Sequence, residues 1–296
     1  MEFRQIKYFL GVAEELHFSK ASEKMFIAQS ALSRQIQQLE DELGIILFDR
    51  DKRNVKLTPA GAFLKVEWQR LSNELQNIHR HAKQIHKGED GEIRIGHPGS
   101  AIYSILPDLL SQMQQKFPAV TMTLTEITET ELVESLLNYQ TDVGFTRELS
   151  EHPDLEIQTL FSEPFALVLN EKHPLASQEN LSLKMFRNEK FILPPLSVNS
   201  KYCIKLREMT RKHGFIPNVV FESNYGSTIL RLVDKNLGVS ILPVSYSCNA
   251  VNSLRFVPLQ DSSELYLLWR RNDENPIFKN FIQIVNEVSN SYEFKL

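Results

Sequence analysis

Four polar side chains between residues 30 and 37 have the chemistry needed to read DNA. At about 100° per residue, one side of a helix would carry Ser30, Ser33, Arg34 and Gln37. The other side would carry apolar residues four, three and four positions apart, namely Leu32, Ile36, Leu39 and Leu43. Hydroxyl, amide and guanidinium groups form hydrogen bonds with base edges and phosphates. Periodicity alone is more typical of ordinary packing, so the interpretation depends on the flanking segments.

The flanking segments predict a winged helix-turn-helix. Ser19 is placed to cap a short preceding helix, and residues 27–29 have the length of a tight turn. Gly44 suits the end of the second helix, because glycine readily adopts the left-handed backbone found there. Two short strand patterns then flank a polar tip, which predicts a hairpin wing. The wing carries four positively charged residues that suit contact with DNA phosphates, namely Arg50, Lys52, Arg53 and Lys56.

The stretch FSKASEKMFIAQSALSRQIQQLEDELGIILFDR, followed by LTPAG, resembles the signature of the LysR-type transcriptional regulators. The resemblance implies that the side chains facing DNA bases and backbone are Gln29, Ser30, Ser33 and Arg34. It also implies that Arg50 and Arg53 contact DNA from the wing. Ala28 stands where the family usually has serine, and Ser30 stands where it usually has proline. We therefore expect weaker capping at the start of the recognition helix.

Length and composition favour a soluble protein of two or three units. The chain has 296 residues, 42% of them hydrophobic and 24% charged. Its formal net charge is −4, so DNA binding would depend on the local placement of charge. The sequence has neither a run approaching the about 18 apolar residues of a membrane span nor a signal-peptide core, which predicts a cytoplasmic protein. Cys203 and Cys248 lack the spacing of a metal site, and no metal or cofactor is predicted.

A long helix is predicted to follow the wing and to mediate dimerisation. It would begin at Thr58-Pro59, a cap followed by proline at the first helical position. Apolar residues then recur in alternating steps of four and three, which is typical of a heptad seam. They are Leu64, Trp68, Leu71, Leu75, Ile78, Ala82 and Ile85. The regular seam predicts a homodimer, and the family resemblance implies a tetramer of two dimers.

From residue 92 onward the pattern alternates between strands and helices, which predicts an α/β region with a parallel sheet. The family resemblance implies two lobes, similar to those of periplasmic solute-binding proteins. It divides the chain into a winged helix-turn-helix domain (1–58), a linker helix (59–88) and an effector-binding domain (89–296). The first lobe would contain 89–161 and 270–296, and the second 162–269.

In such lobes, ligands bind where strands end and helices begin. The strand ends here offer Ser100, then Thr128 and Thr130, then Arg147, whose guanidinium suits a carboxylate. Ile102 and Phe145 would supply an apolar lining, and Ser100 could equally be only a helix cap. The resemblance supports an effector site at these positions. A small-molecule effector is therefore predicted, and Arg147 favours a carboxylate while Glu129 leaves a neutral or amphipathic compound open.

Three other functions are alternatives to regulation. The chain lacks the G-x-S-x-G, H-E-x-x-H and P-loop motifs, so an enzyme is not predicted. A stand-alone solute-binding protein would explain residues 92–296 but not the basic wing or the heptad helix. An architectural DNA-binding protein that needs no effector would explain only the first part of the chain.

Overall fold

The computed structural model describes residues 2–51, 54–87, 91–149, 152–249, 252–271, 273 and 275–292. The predicted DNA contact Arg53 lies outside these residues, and so do the side chains of Arg50, Ile85 and Thr130. The chain forms two compact units, residues 1–80 and 81–296.

The first unit begins with three helices, α1 (Phe3–Glu15), α2 (Phe18–Lys24) and α3 (Gln29–Leu43). Helix α2 is capped by His17, whose Nδ1 accepts a hydrogen bond from the Lys20 amide at 3.4 Å. The prediction that Ser19 caps this helix is therefore wrong. Ser19 lies inside the helix, and its hydroxyl donates instead to Gln29 Oε1 at 3.0 Å. This hydrogen bond links α2 to the start of α3.

Buried side chains from all three helices form the core of the first unit. Leu32, Ile36 and Leu39 of α3 are fully buried, as predicted, against residues of α1 that include Phe9. Helix α3 ends at Gly44, whose φ of 69° is the left-handed conformation that glycine adopts without strain.

The wing consists of β1 (Phe48–Asp51) and β2 (Asn54–Leu57), which pair in antiparallel orientation. Glu40 of α3 holds its first strand, since its Oε1 accepts hydrogen bonds from the amides of Leu47 and Phe48 at 2.8 and 3.1 Å. The long helix α4 (Pro59–Lys87) follows. The Thr58 hydroxyl caps this helix by accepting from the Gly61 amide at 3.0 Å, as expected.

The second unit contains strands and helices in alternation. Its strands are β3 (Gly91–His97), β4 (Val120–Glu126), β5 (Val143–Thr146), β6 (Leu155–Asn170), β7 (Lys190–Leu193), β8 (Asn218–Glu222), β9 (Ser240–Pro243) and β10 (Leu254–Arg270). Its helices are α5 (Gly99–Ile102), α6 (Leu106–Lys116), α7 (Glu129–Leu137), α8 (Lys201–Lys212), α9 (Gly226–Asp234) and α10 (Pro276–Asn290).

Six of these strands form one sheet in the order β4-β3-β5-β10-β6-β9, and β7 and β8 form a separate parallel pair. The predicted parallel pairing holds for β3 with β4 and β5, and for β7 with β8. Strand β10 instead pairs in antiparallel orientation with both β5 and β6. The two long strands β6 and β10 therefore run through both lobes.

Each lobe has its own apolar core. The first core gathers side chains of β3, β5, α6 and α10, and the second gathers side chains of β6, β7, α8 and the segment leading into β9. Leu265 and Leu267 of β10 are fully buried in the first core. Residues 265–269 of β10 therefore pack with the first lobe. The register of β10 against β6 shifts between Pro258 and Ser262, where the chain passes from one lobe to the other.

Candidate nucleic-acid interface and ligand pocket

The predicted reading face of α3 is exposed. Gln29, Ser30, Arg34 and Gln37 are exposed and Ser33 is half-buried. No side chain caps α3 at Ala28, as expected from the missing serine. The start of α3 thus has no side-chain cap, and amides at such a helix start can donate to an acceptor such as a phosphate oxygen. On the wing, Lys56 is exposed.

The predicted seam on α4 divides into two sets. Leu71 and Ile78 are 47% and 54% exposed, Ala82 is exposed and Leu75 is half-buried. Trp68 is instead buried, with its ring in edge-on contact with Phe9 at 5.1 Å between centroids. Leu64 also packs against the core of the first unit. These two residues therefore stabilise the first unit rather than extend an exposed seam. Sequence reasoning missed Phe63, which is 64% exposed on α4.

The Arg147 guanidinium lies buried at the end of β5. Its Nε donates to the Ser100 hydroxyl at 2.8 Å, and its Nη2 forms an ion pair with Glu163 of β6. The other oxygen of Glu163 accepts from the Ser245 amide at 2.7 Å. Arg147 was expected to bind a ligand carboxylate, but the protein supplies a carboxylate of its own. Ser100, in α5, orients this guanidinium through that hydrogen bond.

Thr128 has a local partner as well. It forms a capping box at the start of α7, in which its hydroxyl donates to Glu131 Oε2 at 2.6 Å. This hydrogen bond lowers the pKa of Glu131, because it favours the charged carboxylate.

A cavity of about 150 Å³ opens between the strand ends of the two lobes. Ser100, Thr128 and Arg147 all line it, so the structure brings these predicted residues together. The other predicted lining residues, Ile102 and Phe145, do not line it and pack in or against the core of the first lobe.

Most of the remaining lining comes from residues that sequence reasoning missed. They are mainly apolar or aromatic and include Pro194, Val198, Tyr202, Ile229, Leu242, Pro243 and Tyr246. The second lobe supplies all of them. Tyr225, just before α9, also lines the cavity, and its only sequence signal is this position, which helix capping explains as well. Ser200 lines the cavity and also caps α8, because its hydroxyl accepts a hydrogen bond from the Cys203 amide at 3.1 Å.

The start of α8 also faces this region, and a residue of the first lobe caps it. The Glu148 carboxylate, just after β5, accepts hydrogen bonds from the amides of Lys201 and Tyr202 at 2.7 and 2.9 Å. A carboxylate at a helix N-terminus satisfies free amides and interacts favourably with the helix dipole. Glu148 therefore connects the two lobes.

The described part of the chain contains no group of three or more His, Cys, Asp or Glu side chains that could hold a metal ion. None of its helices is long and apolar enough to cross a membrane.

A winged helix-turn-helix on the same chain as a two-lobed, pocket-bearing unit defines a class, that of DNA-binding regulators with a ligand-binding domain. Residues 3–62 match the bacterial regulatory helix-turn-helix protein family of lysR type, and residues 86–290 match the LysR substrate binding domain. The chain therefore belongs to the LysR family of transcriptional regulators.

Relatives of known name extend over nearly the whole chain. The HTH-type transcriptional regulator AlsR of Bacillus subtilis (strain 168) is 33% identical over 97% of this chain and 96% of its own. The HTH-type transcriptional regulator CatR of Pseudomonas putida is 34% identical over 96% of this chain and 98% of its own. Full-length CbnR, in a crystal structure with its target DNA, superposes with a TM-score of 0.79 and 26% identity, covering 97% of this chain and 100% of that one. These relatives are transcriptional regulators rather than enzymes.

Proposed function

We propose that this regulator reads its operator with α3 seated in the major groove and the wing on the phosphate backbone. The observation that carries the proposal is the two-sided character of α3. Its apolar side is buried in the core, while Ser30, Arg34 and Gln37 stay exposed on the other side. An arginine or glutamine in the groove can form paired hydrogen bonds with guanine or adenine. Since DNA is the partner, the protein is expected to act in the cytoplasm.

The test compares Arg34→Ala with Lys56→Ala on an operator selected from random DNA. Arg34→Ala should lose discrimination at one base pair, by about 1–3 kcal/mol. Lys56→Ala should weaken binding to all sequences alike and flatten its salt dependence, because it removes a phosphate contact. Lys184→Ala, which removes an exposed lysine of the second lobe, is the charge-matched control. If both variants bind the operator like the control, α3 and the wing are not the DNA interface.

The same proposal assigns the other parts of the chain. Residues 1–58 bind DNA, the helix from 59 to about 88 pairs two copies, and residues 89–296 bind an effector. A dimer presents two winged helix-turn-helix domains, which matches an inverted-repeat operator. Because the two domains are linked, binding of the first raises the affinity of the second without any new contact. The pairing of two dimers into a tetramer is part of the proposal. The effector site consists of Ser100, Thr128, Thr130 and Arg147.

An effector in this cavity would contact both lobes and favour one arrangement of them. It can change operator affinity only by its differential affinity for the two arrangements, typically about 1–3 kcal/mol. Operator affinity should therefore be measured with and without each compound of a metabolite library. Ser100→Ala and Arg147→Ala should weaken the response to any active compound, because both residues line the cavity. A response that both substitutions leave unchanged would place the effector elsewhere, and the lack of any response would favour an architectural role.

A further inference from the structure

Two groups at the ligand cavity that could hold an anion, the Arg147 guanidinium and the start of α8, already have carboxylates of the protein as partners. Glu163 neutralises Arg147, and the Ser100 hydroxyl accepts a hydrogen bond from the same guanidinium. Glu148 caps the amides of Lys201 and Tyr202 at the start of α8. A ligand carboxylate that bound to Arg147 or to the start of α8 would have to displace one of these internal carboxylates and leave it without its partner. Separating a buried ion pair in this way is costly, because the released charge stays buried.

Glu126, at the end of β4, adds an uncompensated negative charge to the same cavity. Its side chain is exposed and lines the cavity beside Gly99. Among the residues that the structure describes, no hydrogen bond or ion pair reaches this carboxylate. With Glu163 matched to Arg147, the charge presented to a ligand by these three residues is negative. Such a field attracts cations and repels anions.

The Tyr246 hydroxyl lies next to the Glu126 carboxylate. A Cβ atom added to Gly99 would lie 2.7 Å from Glu126 Oε1 and 3.0 Å from Tyr246 Oη, so the two oxygens face the same small space. One donor group of a ligand could therefore reach both oxygens. Burial raises the pKa of Tyr246 well above its ordinary value, so the hydroxyl remains neutral and can accept a hydrogen bond. Tyr202 and Tyr225 line the same cavity, and aromatic rings of this kind attract cations.

We propose that the effector is an organic amine with a small apolar or aromatic body, and that Glu126 determines this specificity by binding the ammonium group beside Tyr246. The apolar body would lie against Val198, Ile229 and Leu242 of the second lobe. The inference rests on the proposed effector role of this cavity and replaces the expected carboxylate.

The test uses three probes that share a ring and differ in their polar end, namely benzylamine, benzyl alcohol and benzoate. Calorimetric titration of the full-length protein at up to about 10 mM probe detects a Kd of about 1 mM. Benzylamine should bind more tightly than the other two. Glu126→Gln should weaken benzylamine about fivefold, the upper end for a solvent-accessible ion pair, and leave benzyl alcohol unchanged. Glu134→Gln, which removes an exposed carboxylate outside the cavity, is the matched control and should bind all three probes like the wild type.

Three results would overturn the inference. In the first, benzoate binds to the wild type as tightly as benzylamine does. In the second, Glu126→Gln prefers benzylamine over the other two probes as strongly as the wild type does. In the third, the wild type does not bind benzylamine. The operator assay separates this failure from failure of the proposed function. If a carboxylate acts through Ser100 and Arg147 on operator affinity, the effector role stands and only the amine specificity is wrong. If benzylamine binds with the expected preference but no bound amine changes operator affinity, the specificity stands and the effector role fails.

Discussion

Asp142 is a fully buried carboxylate between two arginines of the first lobe. It accepts from the Arg94 amide at 2.8 Å and from Arg94 Nη2 at 2.9 Å, and it lies 3.3 Å from Arg270 Nη2. Arg270 also donates to the carbonyl oxygens of Leu136 and Thr141 and to Asp273. This network ties β3, β10 and the end of α7 together. It is structural, and it lies apart from the ligand cavity.

Asp142→Asn should destabilise the protein by about 3 kcal/mol, because it leaves two arginines without their shared carboxylate. This loss of stability is at the lower end of the range for breaking a buried ion pair, because the Arg94 side chain is 24% exposed and can be partly solvated. Urea denaturation measures the change. Asp154→Asn, whose carboxylate side chain is 75% exposed, is the control and should change stability little. A loss as small as that of the control would contradict the role given to Asp142.

At single residues, sequence reasoning located candidates better than it located their partners. Arg147 was identified from its position after a strand. Its partner Glu163 comes from β6, and the pairing of β6 with β10 determines where that carboxylate lies. No local sequence pattern encodes that register. Phe145 was misplaced for a related reason, since side chains alternate along β5 and its ring faces the core.

At the level of elements, the first unit follows its sequence closely. The local signals of α3 agree with its packing, including the apolar spacing and the terminal glycine. A Cβ at Gly44 would meet nothing within 4 Å, so only the backbone conformation favours glycine there. A substitution at Gly44 therefore tests the energetic cost of the left-handed backbone conformation without a steric clash.

Gly44→Ala should cost about 1 kcal/mol, because alanine is disfavoured at a φ of 69°. Gly44→Asn should cost less, since asparagine tolerates the left-handed region better. Thermal unfolding of the three proteins gives the order of stability. Equal stability of Gly44→Ala and wild type would mean that the helix end rearranges without cost.

Helix α4 carries two apolar stripes that the heptad pattern merged into one. Leu64 and Trp68 face the core of the first unit, while Leu71 and Ile78 are exposed. Spacing along one helix cannot separate these roles, because both sets fit the same period. Only the position of Phe9 against Trp68 shows which residues pack internally.

Leu71→Asp combined with Ile78→Asp should dissociate the dimer with little effect on the fold, because both side chains are exposed in the single chain. Trp68→Ala should act oppositely and destabilise the first unit by about 3–5 kcal/mol, since it removes a buried aromatic side chain. Sedimentation and thermal unfolding distinguish the two outcomes. A double variant that remains dimeric at micromolar concentration would place the dimer contact elsewhere.

At the scale of the effector-binding unit, two lobes share β6 and β10 and are also joined by Glu148. The sequence indicated two α/β halves but not this contact, because Glu148 and Lys201 are 53 residues apart. The carboxylate lies beside the cavity and caps α8 from the opposite lobe. Any ligand that changes the angle between the lobes must stretch or break these two hydrogen bonds.

Glu148→Ala should therefore release the start of α8. Hydrogen exchange at the Lys201 and Tyr202 amides should accelerate about tenfold, which corresponds to loss of a charge-assisted hydrogen bond of about 1.4 kcal/mol. Ser200→Ala provides an internal control, because it removes the acceptor of the Cys203 amide and leaves Glu148 in place. Wild-type exchange rates at Lys201 and Tyr202 in Glu148→Ala would show that other contacts hold the lobes. With the expected acceleration, the operator affinity of Glu148→Ala should also become less sensitive to bound effector, since one of the two lobe arrangements has lost its stabilising contact.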